Sequence, residues 1–308
     1  MHKQKTFNNF LSISDISKQQ LNQILDLARE FKEDKISLEF KNKVLGLIFD
    51  KSSTRTRVSF QVAMSRLGGS TIDLNPSTTQ IGRGESIKDT ARVLSRYCDV
   101  LAIRTFKHKD LEDYAKWSTK PVINALTDLE HPCQAIADCL TIKEEFGSLE
   151  DLTLTYIGDG NNVANSLILI AALLGVKVRI ACPKGYEPSL SLIEKAIRIN
   201  GNDKFLTISN DPYSAAIDAN VLYTDVWSSM GEESKKEDKE KHFKNFSINN
   251  DLVSKADQNV IVLHCLPAYK GKEITEEVFE SEKSRIFDQA ENRLFAQQAL
   301  LAHIFSEN

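Results

Sequence analysis

Val44-Leu45-Gly46-Leu47-Ile48-Phe49, then Asp50-Lys51-Ser52, then Ser53-Thr54-Arg55-Thr56-Arg57, is the stretch that decides the fold. Its first six residues are an apolar run without polar alternation, as expected of a strand covered on both faces. Beyond it, Val58, Phe60, Val62, Ala63 and Leu67 recur at helical spacing. The chain leaves a strand, turns, and opens a helix. Helix N-termini present unpaired backbone N–H groups and a partial positive charge, so an anion is favoured at that turn. The three hydroxyls and two guanidiniums of residues 53–57 add donors suited to phosphate. The same residues also suit a plain Ser/Thr helix cap with two solvated arginines. The Gly-x4-Gly-Lys-Ser/Thr pattern of a Walker loop is absent.

Outward from this point the alternation repeats. Further strands are expected at 70–74, 100–104, 122–124, 152–157, 177–181, 204–208, 221–224 and 260–264. Helical patterns cover 59–67, 87–97, 111–117, 132–146, 163–174, 189–199 and 213–218, with a terminal helix over 291–304. Such alternation predicts an α/β protein with central parallel sheets. The long helix after His131 divides two such units. The expected domains are 1–132 with the C-terminal helix 290–308, and 133–289. The charged run 232–244 reads as solvated surface, or as the stem of a mobile loop because it comes directly after Gly231.

In open α/β sheets, ligands bind outside the carboxyl ends of the strands. Arg104 ends one strand and either reaches solvent or meets a ligand. His131-Pro132-Cys133-Gln134 places Pro132 in the first turn of a helix, so His131 is a capping histidine or an imidazole donor to a carbonyl. Gly158-Asp159-Gly160-Asn161-Asn162 resembles a dinucleotide turn, but Val163 replaces the third glycine and no acidic residue ends the next strand. The turn exposes Asn162. Asp225-Val226-Trp227-Ser228-Ser229-Met230-Gly231 and His264-Cys265-Leu266-Pro267 leave two later strands. Taken alone, Cys265 suits a buried small hydrophobe better than a reactive thiol. Together these clusters suggest a cleft with anion-binding groups on the first unit and amine- or carboxylate-binding groups on the second.

Composition narrows the classes. A chain of 308 residues is long enough for two cores, and 41% hydrophobic with 27% charged residues is typical of soluble globular proteins. A net charge of −4 makes nucleic acid a poor partner. The longest apolar stretch, 167–176, is too short to span a bilayer, and Asn and Ser interrupt the segment after the basic N-terminus. No membrane association and a cytoplasmic address are expected. Five cysteines without a CxxC pair argue against a disulfide framework and a zinc site, and no His/Cys/Asp/Glu spacing suggests a metal.

At this level of detail the chain resembles the carbamoyltransferases, most closely their ornithine branch. The resemblance is carried by Asn9-Phe10-Leu11-Ser12, Ser53–Arg57, Gln80-Ile81-Gly82-Arg83-Gly84-Glu85-Ser86, His131–Gln134, Asp225–Gly231, His264–Pro267 and Glu291-Asn292-Arg293. It implies two α/β domains joined by two helices, built into homotrimers or multiples of trimers. It also implies transfer of a carbamoyl group from carbamoyl phosphate to L-ornithine, giving L-citrulline and phosphate, with no cofactor and no metal. The implied phosphate cradle is Ser53, Thr54, Arg55, Thr56 and Arg57, with Arg104 as a second clamp. His131 and Gln134 would hold the carbamoyl group, completed by Arg293 and the Cys265-Leu266 backbone, and Gln80 would reach a neighbouring subunit's site. Asn162, Asp225, Ser229 and Met230 would form the ornithine site, with Arg104, His131, Asp225 and Cys265 at the chemistry. Another acceptor (putrescine, N-acetylornithine or aspartate) or a silent binding paralogue are the alternatives.

Overall fold

The computed structural model describes residues 9–75, 79–228 and 236–307. In chain order its elements are α1 (Lys18–Lys32), β1 (Val44–Phe49), α2 (Arg55–Arg66), β2 (Ser70–Leu74), α3 (Ile87–Leu94), β3 (Val100–Arg104), α4 (His108–Trp117), β4 (Val122–Leu126) and α5 (Pro132–Phe146). Next come β5 (Thr153–Ile157), α6 (Asn162–Leu174), β6 (Lys177–Ala181), α7 (Leu190–Asn200), β7 (Leu206–Ser209), α8 (Pro212–Ala216) and β8 (Val221–Thr224). The last are α9 (Lys236–Phe243), α10 (Asn250–Val253), β9 (Ile261–His264), α11 (Glu276–Phe279) and α12 (Ile286–Glu307).

The chain divides into two compact units, Met1–Ala137 with Asn292–Asn308, and Asp138–Glu291. The first carries a four-stranded sheet in the order β2-β1-β3-β4, the second a five-stranded sheet in the order β7-β6-β5-β8-β9. Every strand pair is parallel. Helices α5 and α12 carry the chain from one unit to the other. This is the expected class: two α/β domains with central parallel sheets joined by two helices.

Burial explains why the apolar runs became strands. Leu45, Leu47, Ile48 and Phe49 of β1 are all buried, as is every residue of β3. Ile48, Leu101, Ile103 and Val122 pack with Leu111 and Tyr114 of α4 in the first unit. In the second, Ile157, Leu222 and Val262 pack with Trp227, Phe243 and Phe246. Helix α6 is apolar almost all round, starts on an Asn161 cap and ends at Gly175, whose φ of 82° lies in the left-handed region glycine tolerates.

Each sheet has one place where its strand order reverses. In the first it lies between β1 and β3, in the second between β5 and β8. The loops leaving those strands diverge to either side, which makes the crevice where open α/β sheets bind ligands. The loop after β1 is residues 50–54, β3 ends in Arg104, the loop after β5 is 158–161, and Asp225 comes directly after β8. Among the described residues, no helix is long and apolar enough to cross a membrane.

Candidate active site

In the first unit, α2 begins at Arg55, earlier than hydrophobic spacing alone predicts, so Arg55, Thr56 and Arg57 lie within its first turn. Thr54 occupies the N-cap without a side-chain capping hydrogen bond. The plain-cap reading of this motif therefore fails at Thr54, and the N-terminal donors suit an external anion. Thr56 is buried and its hydroxyl accepts from Arg293 Nη2 at 2.9 Å. The same guanidinium donates through Nη1 to Gln134 Oε1 at 2.5 Å. Residues from α2, α5 and α12 are thus tied to one arginine, although Thr56 and Arg293 are 237 positions apart.

His131 precedes α5 and is buried. Burial first, then the positive charges of Arg293, Arg104 and Arg55, hold its imidazole well below the usual histidine range. The ring is therefore neutral near pH 7 and keeps one N–H to donate. The loop before it is fixed by Glu130, fully buried, which accepts from Ser12 Oγ at 2.6 Å and Ile13 N at 3.0 Å. At the end of β3 the pairing register with β4 shifts between Ile103, opposite Asn124, and Arg104, opposite Leu126. Such a shift re-aims a side chain.

Two named residues stand apart from this cluster. Arg57 pairs with Asp73 of β2 and lies 5.1 Å from the centre of the Phe49 ring. Gln80 is exposed and caps a short 3-10 turn, Ile81–Arg83.

In the second unit, Asp225 is buried just beyond β8. Its Oδ2 accepts from Asn161 Nδ2 at 2.9 Å, and its Oδ1 from Cys265 Sγ at 3.0 Å and from Val226 N at 2.8 Å. Asn161 Oδ1 in turn accepts from Val163 N and Ala164 N, capping α6. Asn161, not singled out in sequence, is thus both cap and carboxylate holder; Asn162 beside it is the first residue of α6. Gly160 donates its N–H to Tyr186 O at 2.9 Å, and a methyl group there would lie 2.6 Å from that oxygen. That glycine serves a close approach of two chain segments. It does not need a pyrophosphate to explain it.

His264 fixes the segment after β9. Its Nδ1 accepts from Leu266 N at 2.9 Å, so Nε2 carries the hydrogen, 3.2 Å from Glu273 Oε1. Leu266 has φ of 59° and the Leu266-Pro267 peptide is cis. Asp225, His264 and Cys265 offer potential ligand atoms within 4.8 Å of one another, a proximity that sequence spacing does not reveal. Here both His264 nitrogens are already engaged, by Leu266 N and Glu273, and Asp225 Oδ1 by Cys265 Sγ. Ser229 and Met230 lie outside the described residues.

Two family models cover successive parts of the chain. Residues 8–144 match the family described as aspartate/ornithine carbamoyltransferase, carbamoyl-P binding domain. Residues 150–304 match its Asp/Orn binding domain. A Prochlorococcus marinus (strain MIT 9312) protein named ornithine carbamoyltransferase is 71% identical over 299 residues, 97% of each chain. The crystal structure of ornithine carbamoyltransferase from Gloeobacter violaceus superposes with a TM-score of 0.88 at 48% identity, covering 96% of this chain and 98% of that one. Ornithine carbamoyltransferase from Pyrococcus furiosus gives 0.91 at 46% identity, covering 96% of each.

Proposed function

The chain belongs to the aspartate/ornithine carbamoyltransferase family, and from that premise we propose that it transfers the carbamoyl group of carbamoyl phosphate to the side-chain amine of L-ornithine, releasing L-citrulline and phosphate. The observation that carries the ornithine reading is the Cys265 thiol donating to a buried Asp225 that Asn161 also holds. A fixed carboxylate with a thiol beside it is built to take an ammonium group, and ornithine's side-chain amine, with a pKa near about 10, arrives as one.

The roles follow the family resemblance, and the hydrogen bonds within each unit support them. The α2 N-terminus with Arg55 and Arg104 binds the phosphate of carbamoyl phosphate; Ser53 and Thr54 line the same turn. His131, Gln134, Thr56 and Arg293 hold the carbamoyl group, and the family resemblance assigns the Cys265-Leu266 backbone to the same substrate. Asp225 and Cys265 bind the amine, orient it and take part in its loss of a proton; Asn162, Ser229 and Met230 complete the acceptor site. A carboxylate alone would raise the amine's pKa. Desolvation and the positive charge of the phosphate clamp oppose that effect. As the amine attacks, negative charge grows on the carbamoyl oxygen, and a neutral His131 donates to it. One such donor is worth about 3 kcal/mol in the transition state. Phosphate leaves with its charge held by Arg55 and the helix end. Holding two substrates at one centre supplies much of the rest through orientation.

The enzyme works in the cytoplasm as a homotrimer or a multiple of trimers, with Gln80 serving a neighbouring subunit. Its exposure at the start of a short turn supports that assignment.

The test is citrulline formation by purified protein given carbamoyl phosphate and L-ornithine, with aspartate, putrescine and N-acetylornithine as parallel acceptors. Turnover with ornithine alone is expected. Turnover with another acceptor instead would keep the phosphate half and discard the reading of Asp225 and Cys265.

A further inference from the structure

Among the described residues of the charged run after Gly231, Lys239 is a charged side chain that is not on the surface. Lys239 of α9 is only 4% exposed, and its Nζ lies 2.6 Å from Asp159 Oδ2. Removing an ammonium and a carboxylate from water is costly unless they pair, so the burial of this one has a specific reason. The ammonium also lies 5.7 Å from the centre of the Tyr186 ring, within reach of a cation–π contact. Tyr186 packs edge-on against Phe243, one turn further along α9, at 4.9 Å between ring centres.

Asp159 belongs to the turn 158–162, and the three residues after it each have a structural task there. Gly160 N–H is held by Tyr186 O. Asn161 caps α6 and holds Asp225 Oδ2. Asn162 opens α6. Lys239 and Tyr186 therefore grip the turn from one side while Asn161 supports the carboxylate from the other. The next residue of α9, Glu240, pairs with Lys272 in the segment after Cys265. Two adjacent, oppositely charged residues of α9 thus fasten it to both chain segments that carry Asp225's partners.

We propose that Lys239 is a positioning residue for acceptor binding: by holding Asp159 it sets the turn that places Asn161, and through Asn161 the Asp225 carboxylate. It touches no reacting atom in this scheme. The inference rests on the proposed carbamoyl transfer to ornithine, and it predicts an effect confined to one substrate. Losing the cation frees the turn of the second unit and leaves the α2 cradle of the first untouched.

The experiment is steady-state kinetics of the full-length protein and Lys239→Met, Lys239→Arg and Asp159→Asn variants, with thermal unfolding of each. Lys239→Met is expected to raise the KM for ornithine about tenfold or more while the KM for carbamoyl phosphate stays within about twofold. Lys239→Arg keeps the charge and is expected to recover most of the ornithine affinity. If Lys239→Met does not fold, Asp159→Asn reads the same split, since it removes the partner's charge at nearly constant shape. Unchanged ornithine KM in the folded variants overturns the proposal. So does an equal rise in both KM values, which would mark the pair as structural only. A wild-type protein with no carbamoyl transfer to ornithine would instead remove the functional reading on which the proposal stands.

Discussion

Arg57 donates through Nη1 to both oxygens of the Asp73 carboxylate, so the second arginine of the Ser-Thr-Arg-Thr-Arg motif is already committed to a protein anion. Both side chains are partly covered, 23% and 30% exposed. Arg55, one residue before Thr56, is left as the arginine of that turn whose charge acts on His131. We propose that the motif divides its labour, with Arg55 serving the ligand while Arg57 ties the start of α2 to β2.

This division makes a double-mutant cycle informative. Arg57→Ala should raise the KM for carbamoyl phosphate, because it leaves Asp73 as an uncompensated negative charge near an anion site. Adding Asp73→Ala should restore part of the loss, with a coupling of about 1 kcal/mol, as for a partly exposed pair. Additive losses measured by KM would mean that Arg57 acts on the phosphate directly. By contrast, Arg55→Ala should lower kcat/KM by about a hundredfold or more whatever stands at position 73.

His131 gives a prediction in pH. Its folded-state pKa is depressed by burial and by three arginines, whereas the unfolded ring titrates near about 6.5. Above that value both states hold a neutral ring and the native state keeps its full stability. As pH falls from there toward the folded pKa, the unfolded chain binds a proton that the native state refuses, and stability drops. Urea unfolding at about pH 7.5 and 5.5 should show this loss, reduced in His131→Asn. In the native protein, the His131 ring proton should keep its neutral chemical shift at about pH 5.5 by NMR. A full imidazolium shift there would remove the neutral-donor role.

Most of this architecture is legible in the sequence because buried parallel strands are short apolar runs with few alternatives. The run 44–49 and the polar turn after it contain the strand, the start of the helix and the proposed anion site at once. Pairing across distance is not legible. Nothing near Lys239 in sequence indicates that it is buried, since its partner Asp159 is 80 positions away, and a run of Glu and Lys satisfies the rule for a solvated helix face. Arg57 reads as a phosphate ligand from its motif, and only the fold shows that β2 brings Asp73 alongside it. Helix α1 lies outside the expected alternation, because it precedes the first strand. Its signal is nonetheless present: Leu21, Ile24, Leu25 and Ala28 recur at helical spacing behind a Ser17–Gln20 capping box. Asn161 is also readable, as an Asn immediately before a long apolar helix.

Cys265 should matter as a donor more than as a nucleophile. Its Sγ lies 3.0 Å from Asp225 Oδ1, and the geometry asks only for a hydrogen there. Cys265→Ala should lower kcat by about ten- to a hundredfold with the carbamoyl phosphate KM unchanged. Cys265→Ser retains a hydroxyl donor and should lose less. Equal losses for Ala and Ser in a citrulline assay would assign the thiol a role that an O–H cannot fill.

Asn161 separates two effects that usually travel together. Its Oδ1 caps α6, and its Nδ2 holds Asp225. Asn161→Ala removes both and should cost about 1 kcal/mol of stability for the cap in addition to activity. Asn161→Ser keeps a capping oxygen but not the amide donor, so stability measured by denaturant unfolding should stay within about 0.5 kcal/mol of wild type. Its activity should still fall, because Asp225 Oδ2 loses its partner while Oδ1 keeps Cys265 and Val226. The fall should appear chiefly in the ornithine KM, since a carboxylate held on one side only can rotate away from the ammonium it is meant to receive. A stable Asn161→Ser protein with wild-type ornithine kinetics would mean that Cys265 and Val226 fix Asp225 without help, and that the Asn161 amide belongs to the helix alone.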